Sequence, residues 1–341
     1  MDSPSNAARI LSPASGEAGD WRADMRNHLR DVHELWHLLA LDPALLPGAI
    51  EATRQFPLRL PRRLLAMIEA GNAHDPILRQ YLPLDRENDR VSGYTTDPVG
   101  DLASVSQPGL LHKYQGRALL MTTGACAVHC RYCFRRHFPY ADNLQSGWDG
   151  AIAQLHAAPD ISEIILSGGD PLALSDDKLE ALIQQLGAVP HLIRLRIHSR
   201  LPVVLPSRIT ERLLHTLTQQ RLSVVFVIHA NHASELDSEF AQAMQRLKPV
   251  VAALLNQSVL LAGVNDHAAT LAQLSEQLFA AGVLPYYLHQ LDPVQGAAHF
   301  QVTDPIAVQL MRKLSATLPG YLVPRLVREI SGGDYKQPLA W

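Results

Sequence analysis

Cys126-Ala-Val-His-Cys130-Arg-Tyr-Cys133 holds every cysteine of a 341-residue chain. The spacing is C-x3-C-x2-C, and there is no fourth cysteine. Three thiols in one short stretch, interleaved with His129, Arg131 and Tyr132, do not read as core packing. An odd count in a long chain also argues against a disulfide framework. A closed zinc site takes four protein ligands, and an ordinary [4Fe–4S] cluster takes four thiolates. Three thiolates on one loop hold three irons and leave the fourth open for chemistry. A zinc site completed by His129 or His137 is the alternative that the residues leave standing.

Outward from this loop the chain has the rhythm of a parallel sheet. Apolar runs of strand length at 118–123, 163–167, 193–198, 223–229, 252–260 and 284–289 alternate with helical patterns near 147–157, 176–187, 208–219, 235–247, 267–281 and 304–316. Six βα units in a row predict parallel strands with helices outside, curled by right-handed crossovers into part of a barrel. In such barrels the reactive groups gather at the C-terminal ends of the strands. The cysteine loop follows the first strand, Gly168-Gly169-Asp170 the second, His198-Ser-Arg200 the third and His229-Ala-Asn-His232 the fourth. Asn256-Gln257 lies in the fifth strand, and Asp292 follows the sixth. The expected fold is therefore α/β, a partial (βα)6 TIM-like barrel over residues 107–341 that ends in a lysine-bearing loop. Residues 21–106 read as a helical N-terminal region. It has one periodic helix from Trp21 to about Leu41, shorter helices near 47–55, 61–71 and 75–82, and a polar connection from Asp85 to Pro108. Residues 1–20 read as a disordered tail.

Thirty Lys and Arg against 33 Asp and Glu give a net charge of −3, so nothing in the overall charge points to nucleic acid. The first twenty residues lack the apolar segment of a signal peptide, and no run of about eighteen apolar residues suggests a membrane span. An exposed iron–sulfur cluster fits a reducing interior, so the expected location is the cytoplasm.

Lys336 sits in Ser331-Gly-Gly-Asp-Tyr-Lys336-Gln-Pro338. A lysine near a chain end is ordinarily solvated surface. A Gly-rich loop after an apolar run (322–330) can instead turn the amine back into the barrel mouth. A desolvated lysine amine is a Schiff-base nucleophile, and pyridoxal phosphate (PLP) is its usual partner. Lys113-Tyr114-x2-Arg117, just before the first strand, can supply cations for a phosphate. Arg135 and Arg136 follow the last cysteine and suit a carboxylate. Gly168 and Gly169 let the backbone approach a ligand closely, with Asp170 as an acceptor beside them.

Together these residues resemble the lysine 2,3-aminomutases, radical S-adenosylmethionine (SAM) enzymes that also use PLP. The resemblance runs from about residue 107 to 338, through HKYQGRALL (112–120), CAVHCRYCFRRHF (126–138), LSGGDPL (166–172), SRLPVVLPSRIT (199–210), NQSVLLAGVND (256–266), PYYLHQLD (285–292) and GGDYKQP (332–338). It implies a radical SAM barrel with a [4Fe–4S] cluster on Cys126, Cys130 and Cys133, and with Gly168, Gly169 and Asp170 near the methionine part of SAM. By the same likeness Lys336 carries PLP, Lys113, Tyr114 and Arg117 meet its phosphate, and His229 and Gln257 are cofactor-binding positions. Arg135 then matches the arginine that holds the substrate α-carboxylate. Asp292 and Glu329 match two acidic positions that take the ε-ammonium. The implied reaction converts (S)-α-lysine to (R)-β-lysine, with hydrogen abstraction from Cβ by an adenosyl radical.

Two departures stand out. Glu329 occupies a position where the lysine enzymes carry an aspartate, and the loop before Lys336 reads SGGDYK rather than a run of glycines. Free-standing members of the family continue well beyond the PLP lysine, with further cysteines for zinc. This sequence ends at Trp341 and resembles the short bacterial form that serves β-lysylation of elongation factor P. The implied partners are L-lysine, a low-potential electron donor and the lysyl ligase that receives the product. An oligomer is compatible with the sequence. The rival readings are a 2,3-aminomutase for another amino acid, a non-catalytic iron–sulfur protein and a zinc-binding interaction protein.

Overall fold

The computed structural model describes residues 20–144 and 147–341, so the tail expected over 1–20 lies, apart from Asp20, outside the described residues. The N-terminal region is less helical than its periodicity suggests. The single helix expected from Trp21 to Leu41 is two, α1 (Trp21–Arg26) and α2 (Val32–Leu38). Between them Leu29 exchanges backbone hydrogen bonds with Leu60 at 2.8 and 3.0 Å, and Asp31 restarts the helix by accepting from His33 N. A fully buried bridge plus a side-chain cap outweighs helical continuity here. α3 (Leu46–Gln55) follows as expected, whereas the stretches at 61–71 and 75–82 form only 3-10 turns, Arg62–Met67 and Leu78–Gln80. Leu29, Leu35, Leu60, Leu64, Ile77 and Leu78 are fully buried in the same apolar cluster as Leu166, Ile197 and Phe226 of the barrel. Each such side chain contributes about 1.5–3 kcal/mol by leaving water.

The sheet has ten strands hydrogen-bonded in chain order. An antiparallel hairpin, β1 (Val105–Gln107) and β2 (Leu110–Tyr114), leads into β3 (Arg117–Thr123). From β3 the pairing is parallel through β4 (Glu163–Gly168), β5 (Arg194–Ser199), β6 (Ser223–Ile228), β7 (Ala253–Val259), β8 (Leu284–His289) and β9 (Arg325–Arg328). β10 (Gln337–Pro338) turns back antiparallel on β9. The short α4 (Tyr140–Asn143) and α5 (Asp149–Ala157) link β3 to β4, and α6 (Asp176–Gly187) links β4 to β5. After β5 come α7 (Leu201–Val204) and α8 (Glu211–Thr218). α9 (Ser238–Leu247), α10 (Ala268–Ala280) and α11 (Asp304–Thr317) complete the six βα units. The expected partial barrel is present. β1, β2, β9 and β10 lie beyond its expected strands and form the two rims of its open side.

Period-two alternation on the parallel strands decides what faces inward. On β4, Ile164 and Leu166 are buried toward the helices while Ile165 and Ser167 line a central cavity. On β5 the same split sends Leu195 and Ile197 outward, and Arg196 and His198 inward. Gln257 and Val259 of β7 repeat it.

Candidate active site

The register of the last hairpin places Lys336. Val327 pairs with Pro338 and Arg328 with Gln337, and Glu329 and Lys336 are the first residues beyond this last pair, one on each side. The tip is closed by Gly333 N donating to Ile330 O, with Gly332 in a left-handed conformation (φ 76°) that suits glycine. The amine of Lys336 is thereby returned to the mouth of the barrel, where it forms an ion pair with Glu329.

A cavity of about 430 Å³ opens there. Lys113, Tyr114, Arg117, Arg135, His229, Gln257, Asp292, Glu329 and Lys336 all line it. These nine were singled out from sequence at scattered positions, and β2, β3, β6, β7, β8, β9 and β10, with the loops beside them, bring them to one chamber. Charges alternate along one wall. Arg135 Nε donates to Asp101 Oδ2 (2.6 Å), Asp101 Oδ1 lies 2.6 Å from Lys113 Nζ, and Lys113 Nζ lies 3.4 Å from Glu329, which holds Lys336. Burial would raise the Asp101 carboxyl, but Arg135 and Lys113 hold it below the usual carboxylate range. Arg117 lies over the Tyr114 ring at 4.6 Å.

Asp292 behaves differently. Burial, reinforced by Glu329 and Asp101, pushes its carboxyl up to about 7, against the pull of Lys336 and Lys113. Its Oδ1 is buried with no hydrogen-bond partner, and the Nε2 atoms of His198 and His289 are in the same condition. An unpaired buried polar atom costs about 1–3 kcal/mol, and all three residues line the cavity, so these atoms face the space a ligand would fill. Burial lowers the basicity of His198, His229 and His289, with His229 brought down to about 3, so the three imidazoles are neutral donors and acceptors. His198 Nδ1 and His229 Nε2 share a hydrogen bond of 3.3 Å.

The cysteine loop adjoins the cavity through Phe134 and Arg135. Its three thiols are half-buried and unpaired. Burial pushes all three up, Cys133 to about 11, and Cys126 and Cys133 are raised further by their cysteine neighbours. Thiolates that repel one another in this way suit a cationic metal centre, which reverses the sign of the local field. No group of three His, Cys, Asp or Glu side chains among the described residues converges as on a single ion. The two histidines considered for zinc are engaged elsewhere. His129 stacks on Phe56 with Nδ1 at 2.8 Å from Pro57 O, and His137 Nε2 lies 3.2 Å from Gln295 O.

Gly168, Gly169 and Asp170 lie outside the cavity lining and pack against the start of the cysteine loop. A Cβ on Gly168 would stand 2.7 Å from Thr123 O, and one on Gly169 would collide with Ala125 O. Their amides complete the fit, Gly169 N donating to Thr123 O (2.7 Å) and Asp170 N to Ala125 O (2.8 Å). The Asp170 carboxylate is fully committed to protein. It accepts from Leu172 N, Ser199 Oγ, Arg200 N and Leu201 N at 2.7–3.1 Å, tying the end of β4 to the end of β5.

Two buried carboxylates in the Asp85–Pro108 connection had no sequence signal of their own. Asp101 is one. The other is Glu87, which accepts from Arg131 Nε (2.7 Å) and Nη2 (2.6 Å) and from Arg136 Nη2 (2.8 Å). Arg59 Nη1 donates to Cys126 O (2.9 Å), His129 N to Arg59 O (3.0 Å) and Arg131 N to Gln80 O (2.9 Å). The N-terminal region thus grips the cysteine loop from the outside. Glu87→Gln would leave two buried guanidiniums short of their counter-charge. The expected cost is about 3–5 kcal/mol of folding stability, read from the urea midpoint, with a fall in iron bound per chain after reconstitution.

No protein-family model matches the chain. It is 50% identical over 336 residues to the L-lysine 2,3-aminomutase of Escherichia coli (strain K12), covering 97% of this chain and 98% of that one. The L-lysine 2,3-aminomutase of Haemophilus influenzae is 46% identical, over 96% of this chain and 98% of its own length. That of Clostridium subterminale is 33% identical, over 94% of this chain and 77% of its own. Among solved structures, a radical SAM methyltransferase from Sphaerobacter thermophilus superposes on 64% of this chain and 68% of its own, with a TM-score of 0.46 and 16% identity.

Proposed function

The chain belongs to the L-lysine 2,3-aminomutase family, and we propose that it is an isomerase that moves the amino group of free L-lysine from Cα to Cβ. The observation that carries this reading is the cavity that collects Lys336, the cations Lys113, Arg117 and Arg135, and the unpaired Asp292 beside a loop of three thiols. Cys126, Cys130 and Cys133 would hold a [4Fe–4S] cluster, with Gly168 and Gly169 at the methionine end of SAM. Lys336 would carry PLP, with Lys113, Tyr114 and Arg117 at its phosphate, and His229 and Gln257 beside it. When bound, the cluster with SAM supplies an adenosyl radical for hydrogen transfer at Cβ, and PLP supplies the π-system across which nitrogen migrates.

The chain's own residues supply position and charge. Asp101 engages Arg135 through Nε, which leaves part of the guanidinium free on the cavity wall for a carboxylate. The unpaired Oδ1 of Asp292 offers a seat for the distal ammonium. A clamp at each end fixes the chain of the amino acid between them, which is the contribution expected of a protein around a radical. The neutral histidines add hydrogen bonds without repelling the ammonium.

Asp292 gives this reading a pH signature. Its carboxyl titrates near 7 in the empty cavity, so below that pH it is protonated and cannot attract an ammonium. KM for L-lysine is expected to rise about tenfold for each unit of pH below 7. The inhibition constant of L-norleucine, which has no distal ammonium, is expected to stay flat in the same titration.

The product is proposed to pass to the ligase that β-lysylates elongation factor P. Supporting this, the chain matches the relatives from E. coli and H. influenzae over nearly the full length of both. A cluster on three free thiols needs a reducing compartment, for which the cytoplasm is proposed. No helix among the described residues is long and apolar enough to cross a membrane. The deciding assay is anaerobic: reconstituted protein with PLP, SAM, dithionite and isotope-labelled L-lysine, followed by mass spectrometry. β-Lysine is the expected product. SAM cleavage without β-lysine would move the substrate to another amino acid.

A further inference from the structure

Glu329 is spoken for before any ligand arrives. One oxygen meets Lys336 and the other lies 3.4 Å from Lys113 Nζ. Both partners belong to the cofactor side of the cavity. The contact with Lys336 also follows from the chain path. The two residues are the first beyond the last ladder pair, Arg328–Gln337, one on each side of the loop that joins β9 to β10. Opposite charges brought together in this way attract without any help from the rest of the site. Asp292, by contrast, keeps a buried oxygen with no partner at all.

We propose that Glu329 is a positioning residue for Lys336, holding its side-chain nitrogen in place at the mouth of the barrel, and that Asp292 alone seats the distal ammonium of the substrate. This divides two carboxylates that the family resemblance would assign to one task. The extra methylene of Glu329, relative to the aspartate of the lysine enzymes, lets the carboxylate span from Lys113 to its hairpin partner. The charged or titratable groups that face the Lys336 nitrogen are Glu329 across the hairpin, Asp292 and His289 from the end of β8, His198 from β5, and Lys113 with Tyr114 from β2. Of these only Glu329 is an anion in contact with it.

What the proposal says of the substrate rests on the aminomutase reading, but its core does not, and the test separates them. In the full-length, PLP-free protein, the rate at which potassium cyanate carbamoylates Lys336 is followed by peptide mass spectrometry across pH. Glu329→Gln is expected to speed labelling at pH 8 about tenfold, because the amine loses the carboxylate that holds it. Glu329→Asp keeps the charge and is expected to return the profile toward wild type, which separates lost charge from a disturbed hairpin. In the reconstituted enzyme, Glu329→Gln is expected to lower kcat and to leave KM for L-lysine within about threefold. Asp292→Asn is expected to raise that KM about thirtyfold or more with no change in L-norleucine inhibition or in Lys336 labelling. An unchanged labelling profile in Glu329→Gln, together with a thirtyfold rise in KM for lysine alone, would overturn the proposal in favour of a substrate seat. A change in both would overturn the division of labour. A wild type that makes no β-lysine would refute the aminomutase reading, and the labelling arm would still decide whether Glu329 governs Lys336.

Discussion

Cys130→Ala is expected to abolish turnover, with β-lysine formation falling by roughly 10⁴-fold or more and SAM cleavage falling with it. The three thiols come from one loop, and the chain holds no other cysteine to substitute. Losing one would leave two ligands for the cluster proposed on this loop, and interdependent parts of one catalytic unit fail together rather than in proportion. The checks are iron per chain, the paramagnetic signal of the reduced cluster, and 5′-deoxyadenosine released from SAM. His129→Ala is the informative control. Its ring is stacked on Phe56 and hydrogen-bonded to Pro57 O, so iron content should survive the substitution. If His129→Ala lost metal as fully as Cys130→Ala, the ligand set would be three cysteines and a histidine, and the zinc reading would return. Retention of iron and SAM cleavage in Cys130→Ala would sink the three-thiolate assignment outright.

The barrel was legible because each parallel strand announces itself twice, by an apolar run and by a functional residue at its C-terminal end. Ile164 and Leu166 gave the run, and Gly168 the end. The closing hairpin was less legible. β10 is two residues long and exposed, and β9, although it lies in the apolar run 322–330, is only four residues long with Arg325 and Arg328 at its ends, so neither has the full signature of the earlier strands. Yet their pairing is what aims Lys336 into the cavity. Within the site, residues adjacent to a motif were found and residues far from one were missed. Asp101 and Glu87 lie in a stretch that reads as polar linker. Their importance is tertiary, since each neutralises cations that sequence places some 34 and 44 residues away. A buried carboxylate has no periodicity to betray it, and only its partners explain it. Asp170 shows the converse. Its place after Gly168-Gly169 suggested a ligand contact, whereas three of its four acceptances come from the neighbouring strand end and the fourth from Leu172 N in its own turn.

Lys336→Ala is expected to remove the covalent anchor for PLP and to lower β-lysine formation by roughly 10³-fold or more. Lys336 is half-buried in an acidic surround, with Glu329 in contact and Asp292 nearby, whereas Lys113 is drawn between Asp101 and Glu329 and also donates to Val99 O (2.8 Å). Two amines therefore line one cavity, and the structure distinguishes them by freedom. Lys113 has three partners that fix its position, which suits a phosphate. Lys336 has one side-chain partner among the described residues, Glu329, and sits just before β10. Borohydride treatment of the PLP-loaded protein should accordingly place the reduced pyridoxyl label on Lys336 and on no other residue. Lys113→Ala should keep that label but weaken PLP binding, because a phosphate contact is lost while the nucleophile stays. A label that moved to Lys113, or that persisted in Lys336→Ala, would reverse the two roles. Loss of label in Lys336→Ala with the cluster and SAM cleavage intact would show that the two halves of the site are built separately. One is a loop gripped by the N-terminal region and the other a hairpin closing the far rim, and they meet only at the cavity between them.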